Sequence, residues 1–200
     1  MKKLSLPAMI EASFFAAFAL ILDLLPSIKL SPSISISVAM VPIFILAFRW
    51  GFKVSLISGF LWGILQIVTG DAWIATPLQA FIEYFIAFAC IGFAGLFYNL
   101  IQKHLSFGDK KEALGWMVVA VCVGSIARYF WHFLAGVFFF GSYAPEGVSA
   151  VAFSFMANGA SMLGAAILCS IVVVLILSTA PRLIIRKDHD VPAITHKNVS

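Results

Sequence analysis

Three polar residues able to recognise a ligand stand inside separate apolar runs: Glu83, His132 and Asn158. Arg128 lies four residues before His132 and so shares its helical face, and Gly136 carries that stripe one turn further. Ser154, Asn158 and Ser161 make a second polar stripe at i, i+4 and i+7. Aromatic residues flank these positions: Trp73, Tyr84, Phe138, Phe139, Phe140, Tyr143 and Phe153. A buried carboxylate beside aromatic faces suits a flat cation or an amidine-like heterocycle. The carboxylate accepts from a ring N–H and an exocyclic amine, while the rings hold the flat face and attract positive charge. Apolar walls with a few convergent polar groups describe a small-ligand pocket.

Each residue taken singly has a plainer reading. Glu83 would serve as a packing partner for Arg128 or His132, His132 as a satisfied core histidine, and Asn158 as glue between helices. The aromatics would serve as an interfacial belt. What favours a site is a common depth, and that depends on the elements that carry the residues.

The chain is 62% hydrophobic and 11% charged over 200 residues, far from the roughly 25% charge of soluble domains. Its apolar runs are too long, and lack the alternation, for barrel strands. We expect an all-α polytopic membrane protein with six transmembrane helices, at about 7–25, 34–48, 53–70, 77–99, 114–140 and 149–178. The second is short, starting in the Ser-rich segment Ser31–Ser37. Residues 1–180 form the six-helix substrate-binding domain and 181–200 a polar cytoplasmic tail.

With these spans, eleven of the thirteen basic residues fall on one side: Lys2, Lys3, Arg49, Lys53, Lys103, Lys110, Lys111, Arg182, Arg186, Lys187 and Lys197. The positive-inside rule then makes both termini cytoplasmic. Glu83, His132 and Asn158 come to lie about 9, 12 and 13 Å below the outer ends of their helices, at 1.5 Å per residue. Arg128 lies deeper and is expected as a structural partner, Glu83's own. Asp23, close to an outer end, is expected to reach water.

Cys90, Cys122 and Cys169 stand far apart in apolar runs, as buried filler rather than a disulfide frame or a zinc set. No nucleotide-binding motif, catalytic pair or metal spacing is visible. The expectation is therefore no enzyme, no cofactor, no metal and no nucleic acid, with the bilayer as the surrounding partner. On the residues alone, a vitamin-binding subunit and a solitary ion-coupled transporter using Glu83, Arg128 and His132 both stay open.

Four segments narrow this: Gln79-Ala80-Phe81-Ile82-Glu83-Tyr84; Tyr129-Phe130-Trp131-His132-Phe133-Leu134-Ala135-Gly136; Gly141-Ser142-Tyr143-Ala144-Pro145-Glu146-Gly147; and Asn158-Gly159. Together with Pro42, Arg49-Trp50-Gly51 and Leu61-Trp62-Gly63, they resemble the thiamine-specific S-component family (ThiT) of energy-coupling-factor (ECF) transporters, in order and over nearly the whole chain. The resemblance implies a high-affinity thiamine-binding subunit of a prokaryotic plasma membrane, working with an ECF transmembrane coupling subunit and two ATPases. It implies that Glu83 bonds the aminopyrimidine, helped by Tyr84 and Asn158. His132, Trp73, Phe140, Tyr143 and Phe153 would line or stack on the rings, and Gly136 would leave room. Phe140 stands where the family also uses tryptophan, and Phe153 where it uses tyrosine. The resemblance further implies docking of the coupling subunit on a small-residue stripe of the first helix, here Ser13 and Ala17 beside Ala12 and Ala16. A receptor for another vitamin or a thiamine precursor is the nearest alternative.

Overall fold

The computed structural model of the chain describes residues 4–25, 27–31 and 34–185. The expectations for Lys2, Lys3, Arg186, Lys187 and Lys197, and for the tail beyond residue 185, lie outside them. Six helical segments follow one another: α1 (Leu6–Asp23), α2 (Val41–Trp50), α3 (Phe52–Thr69), α4 (Pro77–Ser106), α5 (Lys110–Phe139) and α6 (Ala150–Thr179). All but α2 are long and apolar enough to cross a membrane. Between α1 and α2 a small antiparallel hairpin pairs β1 (Ile28–Ser31) with β2 (Ile34–Ile36).

The hairpin is the main departure from the expected spans. Ile34-Ser35-Ile36 alternates apolar and polar residues, which is the period of a strand. Here it forms one, with Ile28 opposite Ile36. The second helix therefore starts at Val41 instead of residue 34 and has only 10 residues, about 15 Å of rise. Every residue from Val41 to Phe48 is buried in the protein. β2 closes over α6, where the Ser35 amide donates to Ser161 Oγ at 3.3 Å.

α3 and α4 pack backbone against backbone. A Cβ on Gly59 or Gly63 of α3 would run into the Phe88 or Tyr84 carbonyl of α4. A Cβ on Gly92 or Gly95 of α4 would in turn meet the backbone of Leu56 or Phe52. Small residues permit this approach. α4 itself is not uniform: Phe81–Ala87 is wound as a π-helix and Ile91–Phe97 as a 3₁₀-helix. Wide π turns inside helices are frequent at functional sites.

The first helix and residues 183–185 meet at Arg49. Arg49, at the end of α2, holds Glu11 of α1 through two bonds of 2.6 and 3.0 Å. Trp50 Nε1 donates to the same carboxylate at 2.7 Å. Arg49 also donates to the Leu183 and Ile185 carbonyls at 3.2 and 3.3 Å, and Gln102 bridges the Phe48 and Ile184 carbonyls. Ile184 is buried. Residues 181–185, expected as the start of the tail, are thus part of the packed bundle.

The alanine stripe of α1 is mostly spent inside the chain. Ala8, Ala12, Ala16 and Ala19 are buried, and Ser58 of α3 donates to the Ala12 carbonyl at 2.7 Å. Ala12 and Ala16, expected to help dock a partner, have almost no surface to offer because α1 uses them against its own bundle. Ser13 and Ala17 are exposed.

Gly63→Ala is expected to destabilise the protein by about 1–3 kcal/mol, because its methyl has only backbone to displace. Gly115→Ala, with nothing within 4 Å of the added carbon, is expected to leave stability unchanged or raise it. Thermal unfolding of the two variants in detergent compares them directly.

Candidate functional site

The site is built from the start of α4, the end of α5 and the start of α6. They converge in the half of the bundle away from Arg49 and Gln102. α4 begins with Pro77 and is capped by Thr76, whose hydroxyl accepts from the Gln79 amide at 3.1 Å. Gln79 is fully buried and acts as a hub. Its Oε1 accepts from the Ala75 amide at 2.9 Å, and its Nε2 donates to the Trp73 carbonyl at 3.2 Å and to Glu83 Oε2. One turn on, Tyr84 accepts from the Trp73 amide at 2.8 Å. The loop carrying Trp73 is therefore fastened to the helix carrying Glu83.

Glu83 sits in the π-helical stretch, with His132 of α5 across from it. His132 Nδ1 lies 3.2 Å from Glu83 Oε1, and the two side chains are 16% and 14% exposed. On the other side of the imidazole, Arg128 Nε donates to His132 Nε2 at 3.3 Å. α6 supplies Ser154, which donates to the Phe133 carbonyl at 2.7 Å, and Asn158, whose Nδ2 reaches the Ser154 carbonyl at 3.1 Å. Gly136 faces this pair: a Cβ there would crowd Ser154 Oγ and stand 3.2 Å from Asn158 Nδ2.

These groups border a cavity of about 290 Å³, lined by Trp73, Glu83, His132, Gly136, Phe140, Tyr143, Phe153, Ser154, Ala157 and Asn158. That is close to the lower end of the roughly 300–1,000 Å³ usual for small-molecule sites. Trp73 stacks on Phe140 with centroids 5.2 Å apart and meets Tyr143 edge-on at 5.7 Å, so three aromatic rings stand together in its wall. A larger groove of about 550 Å³ runs between α5 and α6, past Ile126, Phe130, Phe155 and Leu163. These four side chains are exposed and the groove contains no charged group, so it lacks a convergent polar set.

Eight of the nine residues expected at a binding site line the smaller cavity. The ninth, Tyr84, stands behind it and holds Trp73. Ser154 was visible as part of a polar stripe without being singled out. Gln79 and Ala157 were missed, although Gln79 lies one helical turn before Glu83, which is the spacing that lets it bond the carboxylate. Two expectations are corrected. Arg128 reaches Glu83 only through His132, and its guanidinium lies over aromatic rings. Asp23 accepts a bond from Gln66 of α3 because Gln66 is buried and turned toward it.

The family described as Thiamine transporter protein (Thia_YuaJ) matches residues 9–185. The chain belongs to this family. A thiamine transporter ThiT of Lacticaseibacillus paracasei is 36% identical over 186 residues, 92% of each chain. One of Bacillus subtilis is 38% identical over 178 residues, covering 88% of this chain and 93% of the relative. A solved structure of ThiT from Listeria monocytogenes superposes with a TM-score of 0.87 at 39% identity, covering 90% of this chain and 98% of that one. Membership of the thiamine transporter family, with five helices able to cross a bilayer, makes this a multi-pass protein of a prokaryotic plasma membrane.

Gln79→Met keeps the bulk of this family member's hub but strips its bonds to Ala75, Trp73 and Glu83. Leaving buried partners unsatisfied costs about 1–3 kcal/mol. The thermal midpoint is expected to fall accordingly, and Trp73 emission to shift as its loop loosens.

Proposed function

We propose that the chain is the high-affinity thiamine-binding subunit of an ECF-type transporter, with the cavity at Glu83 as the binding site. The observation that carries this reading is the Glu83 carboxylate. It is bonded from behind by Gln79 and from the side by His132, and it opens into a cavity walled by aromatic rings. An aminopyrimidine offers the donors such a carboxylate accepts, and a thiazolium is a flat cation of the kind aromatic faces attract. Glu83 takes the exocyclic amine. Trp73, Phe140 and Tyr143 hold the rings, with Phe153 as further wall. Asn158, whose Oδ1 carries no bond among the described residues, supplies a polar contact, and Gly136 keeps the floor open. Tyr84 acts by holding Trp73. The two sequence relatives, both named thiamine transporters, support thiamine as the ligand.

In this reading both termini are cytoplasmic and the cavity faces outward. The residues suit capture of the vitamin at sub-micromolar concentration. They include no nucleotide-binding motif, so the work of transport falls to a coupling subunit and two ATPases. The exposed small residues Ser13 and Ala17 of α1 are the surface offered to that subunit.

Glu83→Gln keeps the shape and removes the charge. Hydrogen bonds to charged groups are worth about 1.5–3 kcal/mol, so thiamine affinity is expected to fall by roughly 10- to 100-fold. Quenching of tryptophan emission, with Trp73 in the cavity wall, reads the affinity; an unchanged value refutes the assignment. Vesicles containing this chain alone are expected to bind thiamine without accumulating it. Uptake driven by an ion gradient in such vesicles would instead identify a solitary transporter.

A further inference from the structure

We propose that Arg128 is a positioning residue: it fixes which nitrogen of His132 carries the proton and thereby aims the imidazole N–H at Glu83. The assignment of Glu83 as a ligand acceptor rests on the function proposed above. The chemistry of the Arg128–His132–Glu83 row does not.

A guanidinium can only donate, and an ionised carboxylate can only accept. His132 stands between one of each, with Nε2 3.3 Å from Arg128 Nε and Nδ1 3.2 Å from Glu83 Oε1. A neutral imidazole has one N–H and one lone pair. Only one tautomer satisfies both neighbours: the lone pair on Nε2 facing arginine and the proton on Nδ1 facing glutamate. The other tautomer sets two N–H groups head to head and a lone pair against the carboxylate. A doubly protonated ring keeps the first of these conflicts.

Arg128 is well held for this task. Its guanidinium carbon lies 4.3 Å from the ring centroid of Phe88, 5.0 Å from Trp62 and 5.6 Å from Tyr129. Flat aromatic faces stabilise a flat cation and set its plane. Among the described residues no carboxylate lies within ion-pair distance of it; Asp23, bonded to Gln66, acts on it only from further off. The cage leaves Nε free to point along α5 at the residue one turn ahead. As a result, Glu83 receives two uncharged donors, His132 at Oε1 and Gln79 at Oε2. Its negative charge is bonded without being neutralised in place, and remains for the ligand.

The test uses the whole protein in detergent, with imidazole nitrogens labelled and read by ¹⁵N NMR without ligand. The His132 signal is identified by its loss in His132→Gln. The expected result is a protonated Nδ1 and an unprotonated Nε2 in the native chain, and a proton appearing on Nε2 in Arg128→Met, where no donor faces that nitrogen any longer. Thiamine affinity should fall at least about tenfold in the same variant. Arg128→Lys replaces the Nε donor by an ammonium one atom further along the chain, still donor-only, and is expected to keep the Nδ1–H form; a proton on Nε2 in that variant would overturn the proposal should the methionine variant fail to fold. A proton on Nε2 in the native protein overturns the proposal, as does an unaltered tautomer in Arg128→Met. A native chain that binds no thiamine would refute the proposed function while leaving the tautomer result to stand or fall on its own.

Discussion

A carboxylate at membrane depth is costly unless its oxygens are bonded, and the architecture around Glu83 meets that demand. Gln79 is buried so that it can reach one oxygen, and His132 comes from a different helix to reach the other. Each donor is itself tied down. Gln79 is fixed by the loop before α4, and His132 by an arginine that aromatic rings hold in place. Satisfying one acid thus recruits three elements of the fold and leaves one side of it bordering the cavity.

The helix carrying Glu83 is placed by equally specific means. The glycines of α3 lie against the carbonyls of Tyr84 and Phe88, so the π-helical stretch is clamped from behind. Tyr84 points the other way and holds the loop that brings Trp73 to Phe140 and Tyr143. The close contact of α3 with α4 therefore bears on the placement of both Glu83 and Trp73. The other end of the bundle is closed by Arg49, Glu11 and Gln102.

Much of this was legible from residue types and spacing. Apolar run lengths placed five of the helices, and the shared depth of Glu83, His132 and Asn158 anticipated their meeting at one cavity. Three kinds of information were not local enough to read. Ile34-Ser35-Ile36 alternates as a strand does, but it adjoins an apolar run and was absorbed into it. The partners of Arg128 and Asp23 depend on which rings and amides the fold places beside them; sequence separation hides Gln66 from Asp23 and Trp62 from Arg128. The alanines of α1 are small for the same reason whether they face a partner or their own bundle, so composition could not separate Ala12 and Ala16 from Ser13 and Ala17. The π turn over Phe81–Ala87 carries no residue signature that sequence reasoning used.

The ten-residue α2 has a consequence for how the chain is made. A helix of that length cannot be selected by a bilayer from its own hydrophobicity, because a spanning segment takes about 20 residues. With every residue from Val41 to Phe48 enclosed by protein, it has no stable resting place until later-synthesised helices surround it. The placement of this one segment is thus settled by assembly, while the other five helices are long and apolar enough to cross on their own. Its neighbours are chiefly α1, α3 and α4, so translation must reach α4 before the second crossing is enclosed.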